Sequence, residues 1–402
     1  MKYETRLVGV LALTFGIVFF DRNSANFLMP MIAGDLRLTN RQVGLIVSAL
    51  SLTWAVAGFL GGALTDRTGR RKPILIAVIV CFSLSSMLSG LATSFIGLFL
   101  ARLLMGLAEG PVLPISQSMI VFESSPSRRG FNMGMVQNLG SNLLGGFLAP
   151  LILVPIATAY TWRMAFFLAG VPGLVMALMI ARYVREPPVH EVHPDTSGHA
   201  GERMGMLEMI RYRNIGLCMV ICVAMVAWLM VGGGFLPLLL VRMRHLSPER
   251  MSMLMGSLGL SAAAASFLVP GLSDRIGRRP VVVAFCLLAM VLPLTALYFQ
   301  GSFFTLAALM FVSWSALGAF PLMMGTIPSE TIPARYVATS MGLIMGLGEV
   351  LGGVIAPATS GWAADRYGLS APMWIMVGCA ASAATLALFL KETAPRRVSR
   401  PA

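Results

Sequence analysis

Five ionisable side chains stand well inside long apolar runs of this 402-residue chain: Asp21, Arg22, Arg102, Glu109 and Glu349, with Glu123 and Glu330 near the ends of such runs. A guanidinium in apolar surroundings can hold a carboxylate through two parallel N–H donors. A carboxylate beside a guanidinium can take up a proton and release that partner. Anion binding and proton exchange are therefore the chemistry that these residue types support. Asp21 and Arg22 are chain neighbours, about 100° apart around a helix, so they cannot share one direction. Arg102 and Glu109 are seven residues apart, two turns along one face. The alternative for these four is an ion-pair network that only ties helices together, although a buried pair is weak support for stability.

The elements that must position them follow from composition. Hydrophobic residues make up 57% of the chain and charged ones 12%, and the mean hydropathy is +0.80. Soluble domains carry about 25% charged residues, so a water-soluble enzyme is excluded, as are disorder, collagen and a disulfide scaffold. A spanning helix needs about 20 apolar residues. The apolar stretches predict twelve spans, at about 7–32, 43–65, 73–93, 95–122, 130–157, 162–182, 214–241, 250–272, 280–300, 302–328, 336–361 and 371–390. All must be helices, because an open strand would leave its backbone groups unpaired in lipid. Each charge at such depth costs at least ~2.5–3.5 kcal/mol on insertion scales and marks function by default. The first run has no small-residue cleavage site, so it reads as a first helix and not a removed signal. Cys81, Cys218, Cys222, Cys286 and Cys379 all fall in apolar segments without metal or pair spacing, and read as small core residues.

Charge and repetition set the topology. The longest polar stretch, between Arg182 and Asn214, predicts a linker at 183–213 joining a first six-helix bundle, 1–182, to a second, 214–402. With both termini cytoplasmic, that side holds 21 Lys and Arg against 7 opposite. The bias predicts this orientation in the inner (plasma) membrane, and it accounts for the net charge of +13 without nucleic acid. Gly62-x-x-x-Asp66-Arg67-x-Gly69-Arg70-Arg71 nearly recurs around Asp274-Arg275-Ile276-Gly277-Arg278-Arg279, offset by 208. Pro126-x-Arg128 with Leu144-Gly145-Gly146-x-x-Ala149-Pro150 returns at Pro333-x-Arg335 and Leu351-Gly352-Gly353-x-x-Ala356-Pro357, offset by 207. Six spans per repeat give parallel halves about an axis along the membrane normal.

The repeat and its Asp-Arg-x-Gly-Arg-Arg loop resemble the major facilitator superfamily. This resemblance implies an all-α membrane protein of two pseudo-symmetric six-helix bundles. Asp21-Arg22-Asn23-x-x-Asn26 and Arg102-Leu-Leu-Met-Gly-Leu-Ala-Glu109-Gly110, with Trp162-Arg163-x-Ala165-Phe166 and Gly361-x-x-Ala364-Asp365-Arg366-x-Gly368, are similar to the anion:cation symporters of that superfamily. By that resemblance Arg22 binds a substrate carboxylate, Arg102 and Glu109 form a coupling pair, and Asp21 is a second protonation site. The implied activity is proton-coupled uptake of a small organic anion by alternating access; the partners are that anion, protons and the lipid bilayer. In the second span, Leu52-Thr53-Trp54 and Gly58-Phe59-Leu60-Gly61-Gly62 depart from the aromatic pair and Gln-x-Pro-Gly-Gly ending usual in the family, and the second half has no intramembrane Arg or Lys. A compact, less hydroxylated monoanion fits that departure.

Around Arg22 and Arg102, the expected substrate-binding set is Asn26, Trp54, Gln117, Asn138, Asn142 and Trp314, although polar contact between helices accounts equally for the amides. Proton coupling is assigned to Asp21, Glu109 and Glu349; the last falls 207 residues after Asn142 and also reads as a polar helix contact. Asp66, Arg70, Asp274 and Arg278 are the expected gate at the cytoplasmic helix ends, where they also serve to fix topology. His190, His193 and His199 are irregularly spaced in the linker, and no metal or cofactor is predicted. No nucleophile–base arrangement or phosphate loop supports an enzyme. The alternative is a drug/proton antiporter, but its Gly-Pro-x-x-Gly-Gly signature is absent from Leu139 to Pro150. A monomer is expected.

Overall fold

The computed structural model describes residues 3–125, 128–186, 206–333 and 336–395, without the side chains of Ala63, Asp66, Arg129, Leu139, Met206, Leu207 and Ala338. Within these residues twelve helices are long and apolar enough to cross a membrane: α1 (Tyr3–Asp35), α2 (Asn40–Thr68), α3 (Arg71–Gly90), α4 (Phe95–Glu123), α5 (Phe131–Ala159), α6 (Trp162–Tyr183), α7 (Arg213–Arg242), α8 (Pro248–Ile276), α9 (Arg278–Tyr298), α10 (Phe303–Thr331), α11 (Thr339–Tyr367) and α12 (Ser370–Ala387). They coincide with the twelve spans expected from hydropathy. A short helix, Met206–Arg211, precedes α7. The greater part of the expected linker, with His190, His193 and His199, lies outside the described residues.

Two helices are interrupted immediately after their charged residues. In α1 the regular helix ends at Arg22 and resumes at Ser24, and Asn23 donates its side-chain amide to the Gly145 carbonyl at 3.2 Å. In α4 it ends at Glu109, and Pro111 caps the segment that resumes at Val112. Proline has no N–H and clashes with the preceding turn, which accounts for the second break. Broken helices at mid-membrane depth let backbone polar groups face a polar site where a continuous helix would bury them. Helix α7 retains Pro237 but runs unbroken.

The two six-helix sets meet along two seams. On α2 and α11, a Cβ at Gly44 would collide with the Pro357 carbonyl and one at Gly361 with the Asn40 carbonyl. Ser48 Oγ donates to the Val354 carbonyl at 2.6 Å. Beyond these, Asp365 accepts the first N–H groups of α2, from Asn40 at 2.8 Å and Arg41 at 3.0 Å. On α5 and α8, Gly146 lies against Gly259, and Gly256 against Phe147 and Leu151. Here α8 starts on Pro248, which has no donor to offer. π-helical stretches at Ser141–Leu148 and Gly348–Ile355, 207 residues apart, accompany the close approaches in α5 and α11. All these contacts are in the half of the bundle remote from the termini. Towards the face that holds the termini, Gly342 and Gly346 meet nothing within 4 Å, although they continue the stripe of Gly353. The bundle is closed at one end and parted at the other.

Paired ion clusters fix the helix starts at the terminal face. Arg278 pairs with Asp274 at 2.6 Å and with Glu330 at 2.9 Å, while its backbone N–H donates to Glu392 at 2.7 Å. In the first half the corresponding place is taken by Arg71, not by Arg70 as the motif alignment predicts. Arg71 is buried, donates Nε to Ser118 at 2.7 Å and its backbone N–H to Glu186 at 2.6 Å, and lies over Phe122. Arg70 is exposed. The reason is one residue of chain: Gly69 and Arg70 connect α2 to α3, whereas Gly277 alone connects α8 to α9. That residue is where the repeat offset changes from 208 to 207.

Replacing Arg71 by Ala removes the side-chain hydrogen bond to Ser118 and a stem packed over Phe122, so it is expected to lower unfolding stability by about 1–3 kcal/mol. Arg70→Ala should stay within about 0.5 kcal/mol. Thermal unfolding in detergent compares them, and equal losses would restore Arg70 to the gate. Gly259→Leu should hold the α5–α8 seam apart, because the colliding group is the Gly146 backbone. A membrane-impermeant maleimide should then label Leu151→Cys faster than in the Gly259 background.

Candidate functional site

The mid-membrane charges separate into two layers. The first faces the gap between the halves. Arg22 lies over the rings of Phe19 and Trp54, 5.5 and 5.1 Å from their centroids. Its Nη1 is 3.5 Å from Glu109 Oε2. Charge-assisted bonds of this type are ordinarily about 2.7–2.9 Å, so the pair is loose. Glu109 Oε1 is buried with no partner. Arg22 is 9% exposed and keeps an open edge, while Glu109 is sealed. Both residues stand where their helices break, and the break frees each side chain from a regular helical stack.

The second layer is closed within the α1–α3–α4–α6 seam. Asp21 is fully buried; its Oδ1 accepts from Ser86 Oγ at 2.8 Å and Ser24 Oγ at 3.3 Å, and Oδ2 has no partner. Arg102 donates Nη2 to Ser89 Oγ at 3.0 Å and lies 4.8 Å over the Phe166 ring, with Nε and Nη1 unpartnered. At 1% exposure, Arg102 does not reach the gap. Here Arg22, and not Arg102, presents a guanidinium edge to the gap. The expected pairing of Arg102 with Glu109 is replaced by Arg22 with Glu109.

Glu349, on α11, brings a carboxylate from the other half. It is half-buried, and its sealed Oε2 borders Gly353, as does Ser51 of α2. Arg22 is the charge that acts on it. Three carboxylates and two guanidiniums are thus gathered at one depth, and each carboxylate has one buried oxygen without a partner.

The other expected residues are more scattered. Trp54 is part of the site. Asn26 faces α7, its Nδ2 3.4 Å from where a Cβ at Gly233 would stand. Gln117 donates to Gln137 at 3.2 Å, joining α4 to α5. Asn138 and Asn142 are half-buried in the π-helical part of α5. Trp314 is in the second-half core, 5.0 Å from Trp228 between ring centroids, and is not gathered with Arg22. Of the expected gate, Asp274 and Arg278 are paired as described, Arg70 is displaced by Arg71, and the Asp66 side chain lies outside the described residues. The sequence reading overlooked Ser86 and Ser89, and it gave Asp365 no role beyond its place in a family motif. Four serines within Ser83–Ser89 of an apolar run were the available signal for the first two.

The sequence profile of the Major Facilitator Superfamily matches residues 11–243 and again 217–402. A hexuronate transporter of Bacillus subtilis (strain 168) is 29% identical over 395 residues, covering 92% of this chain and 90% of the relative. A gallate transporter of Pseudomonas putida is 28% identical over 424 residues, covering 97% and 93%. A crystal structure of a bacterial homolog of the human lysosomal transporter Spinster, inward-facing and occupied, superposes with a TM-score of 0.78 at 19% identity, covering 96% of both chains. Twelve spans, an internal repeat and a profile match across nearly the whole sequence agree: this chain belongs to the Major Facilitator Superfamily, and it is a membrane transporter and not an enzyme.

Proposed function

We propose that the chain takes up a small organic monoanion together with protons, by alternating access, with Arg22 as the anion-binding group. The observation that carries this reading is the loose Arg22–Glu109 pair, 3.5 Å long, at the edge of the gap. A carboxylate cannot cross lipid alone, and a guanidinium set between two aromatic faces offers its in-plane donors in place of hydration. Protonating Glu109 releases Arg22 to the substrate carboxylate. With every group ionised, three carboxylates outweigh two guanidiniums by one charge. Two protons invert that balance, and a monoanion then neutralises it. Net positive charge moving inward gains about 2.3 kcal/mol per elementary charge per 100 mV. Hexuronate and gallate, named for the two relatives, are both carboxylates, which supports this substrate class. The compact aromatic setting of Arg22 favours a small monoanion.

The terminal face is cytoplasmic in this reading, because it carries most of the Lys and Arg. The structure is then the inward-open state, and residues 1–182 and 214–402 rock as two bodies about the bound anion. The working unit is a monomer in the inner membrane.

Arg22→Ala should cost about 2–5 kcal/mol of anion affinity, well over tenfold. Thermal-shift titration with glucuronate, gallate and short aliphatic carboxylates measures this, since a ligand that binds only the folded state raises its melting temperature. Undiminished shifts in Arg22→Ala would overturn the assignment. In proteoliposomes, Glu109→Gln should retain substrate exchange and lose accumulation driven by a proton gradient. Equal loss of both would make Glu109 structural. Dye extrusion driven by proton influx would instead establish an exporter.

A further inference from the structure

Ser86 occupies an unusual position among the serines of α3. Ser83, Ser85 and Ser89 each donate to the carbonyl four residues earlier in their own helix, at 2.8–2.9 Å. Ser86 leaves its helix. Its Oγ is 2.8 Å from Asp21 Oδ1 on α1 and 3.1 Å from the Phe166 carbonyl on α6. A hydroxyl has one proton and two lone pairs, so it cannot donate to both acceptors at once.

This geometry admits two complete arrangements. When Asp21 is ionised, Ser86 donates to its carboxylate. When Asp21 is protonated, its O–H donates to Ser86 Oγ, and the serine proton turns to the Phe166 carbonyl. Neither arrangement orphans the hydroxyl, whereas an unmade bond in a sealed seam costs about 1–3 kcal/mol. We propose that Ser86 is a two-position hydroxyl switch that lets Asp21 gain and lose its proton without opening the α1–α3–α6 seam. Ser86 is a positioning residue here, and the proposal rests on the reading of Asp21 as a proton site.

The surroundings fit this role. The charged groups facing Asp21 are Arg102 and Glu109, both from α4; Arg22, next in the chain, is turned to the gap. Among the described residues, α3 and α6 offer only Ser86 and the Phe166 carbonyl at that point, and α5 packs on α1 through Gly140 and Gly145. The internal repeat supplies a control. In the second half, Leu229 stands in the place of Asp21, 208 residues on, and Pro293 in the place of Ser86, 207 residues on. The hydroxyl is absent where the carboxylate is absent.

Infrared difference titration of the full-length protein in phospholipid vesicles tests this without a transported ligand. The carboxylic-acid carbonyl band missing from Asp21→Asn identifies Asp21. Ser86→Ala removes the closer of the two donors to the ionised form and leaves Ser24, so the midpoint of that band should move up by about one pH unit. Ser86→Thr should restore it, and Ser86→Cys, a weak donor that preserves packing, should move it less and in the same direction. An unchanged midpoint in Ser86→Ala and Ser86→Cys, with only a lower melting temperature, would reduce Ser86 to a tie between α3 and α6. If no band vanishes in Asp21→Asn, Asp21 is not a proton site, and the coupling role given to it fails together with the switch.

Discussion

The arrangement of this protein depends on keeping ionised groups solvated by the chain itself at mid-membrane depth. Five such groups are held there, and the cost of burying each is met differently. Arg22 lies against two aromatic faces, Asp21 takes two serine hydroxyls, and Arg102 rests on a ring and one serine. Asp21, Arg102, Glu109 and Glu349 each keep a buried polar atom without a partner. Buried polar groups are nearly always paired in native structures, and those left unpaired call for a functional explanation. Here the unpaired atoms cluster on the groups that face one another, which is the condition for exchanging partners.

The internal repeat makes the division of labour visible. At the places of Asp21, Arg22, Arg102 and Glu109, the second half has Leu229, Met230, Leu309 and Ala316, with Trp228 next to the first. Trp228 is fully buried, donates to the Ala289 carbonyl and packs against Trp314. One backbone plan thus serves as a charged site in one copy and as an apolar core in the other. The unbroken α7, set against the interrupted α1, fits the same difference, although α10 still leaves the regular helix at Ser315–Ala319, the place that matches Glu109.

The span count, the repeat and the intramembrane charges were legible in the sequence because each rests on composition or a fixed offset. What the charges touch was not. Arg102 and Glu109 share a face of one helix, and spacing alone makes them look like partners; the third dimension gives Glu109 to Arg22 from α1 and closes Arg102 behind Phe166. Trp314 reads as a pocket residue because aromatic side chains suit pockets, but nothing in a single sequence separates that from packing against Trp228. The displacement of Arg70 by Arg71 was legible in principle, since the two repeat offsets differ by one. Ser86 and Ser89 are small and neutral, and the charged groups that they meet come from other helices.

The unequal starts of α2 and α8 have a mechanical consequence. Asp365 binds two backbone donors of α2, but the matching seam begins on a proline and, among the described residues, is closed by packing of Gly146 on Gly259 and of Gly256 on Phe147 and Leu151, with no hydrogen bond across it. Separating the first seam exposes a carboxylate and two amides that need water at once; separating the second breaks only dispersion contacts. The remote end of the bundle therefore behaves as a bolted edge opposite an unbolted one, and the least work of opening lies along α5 and α8.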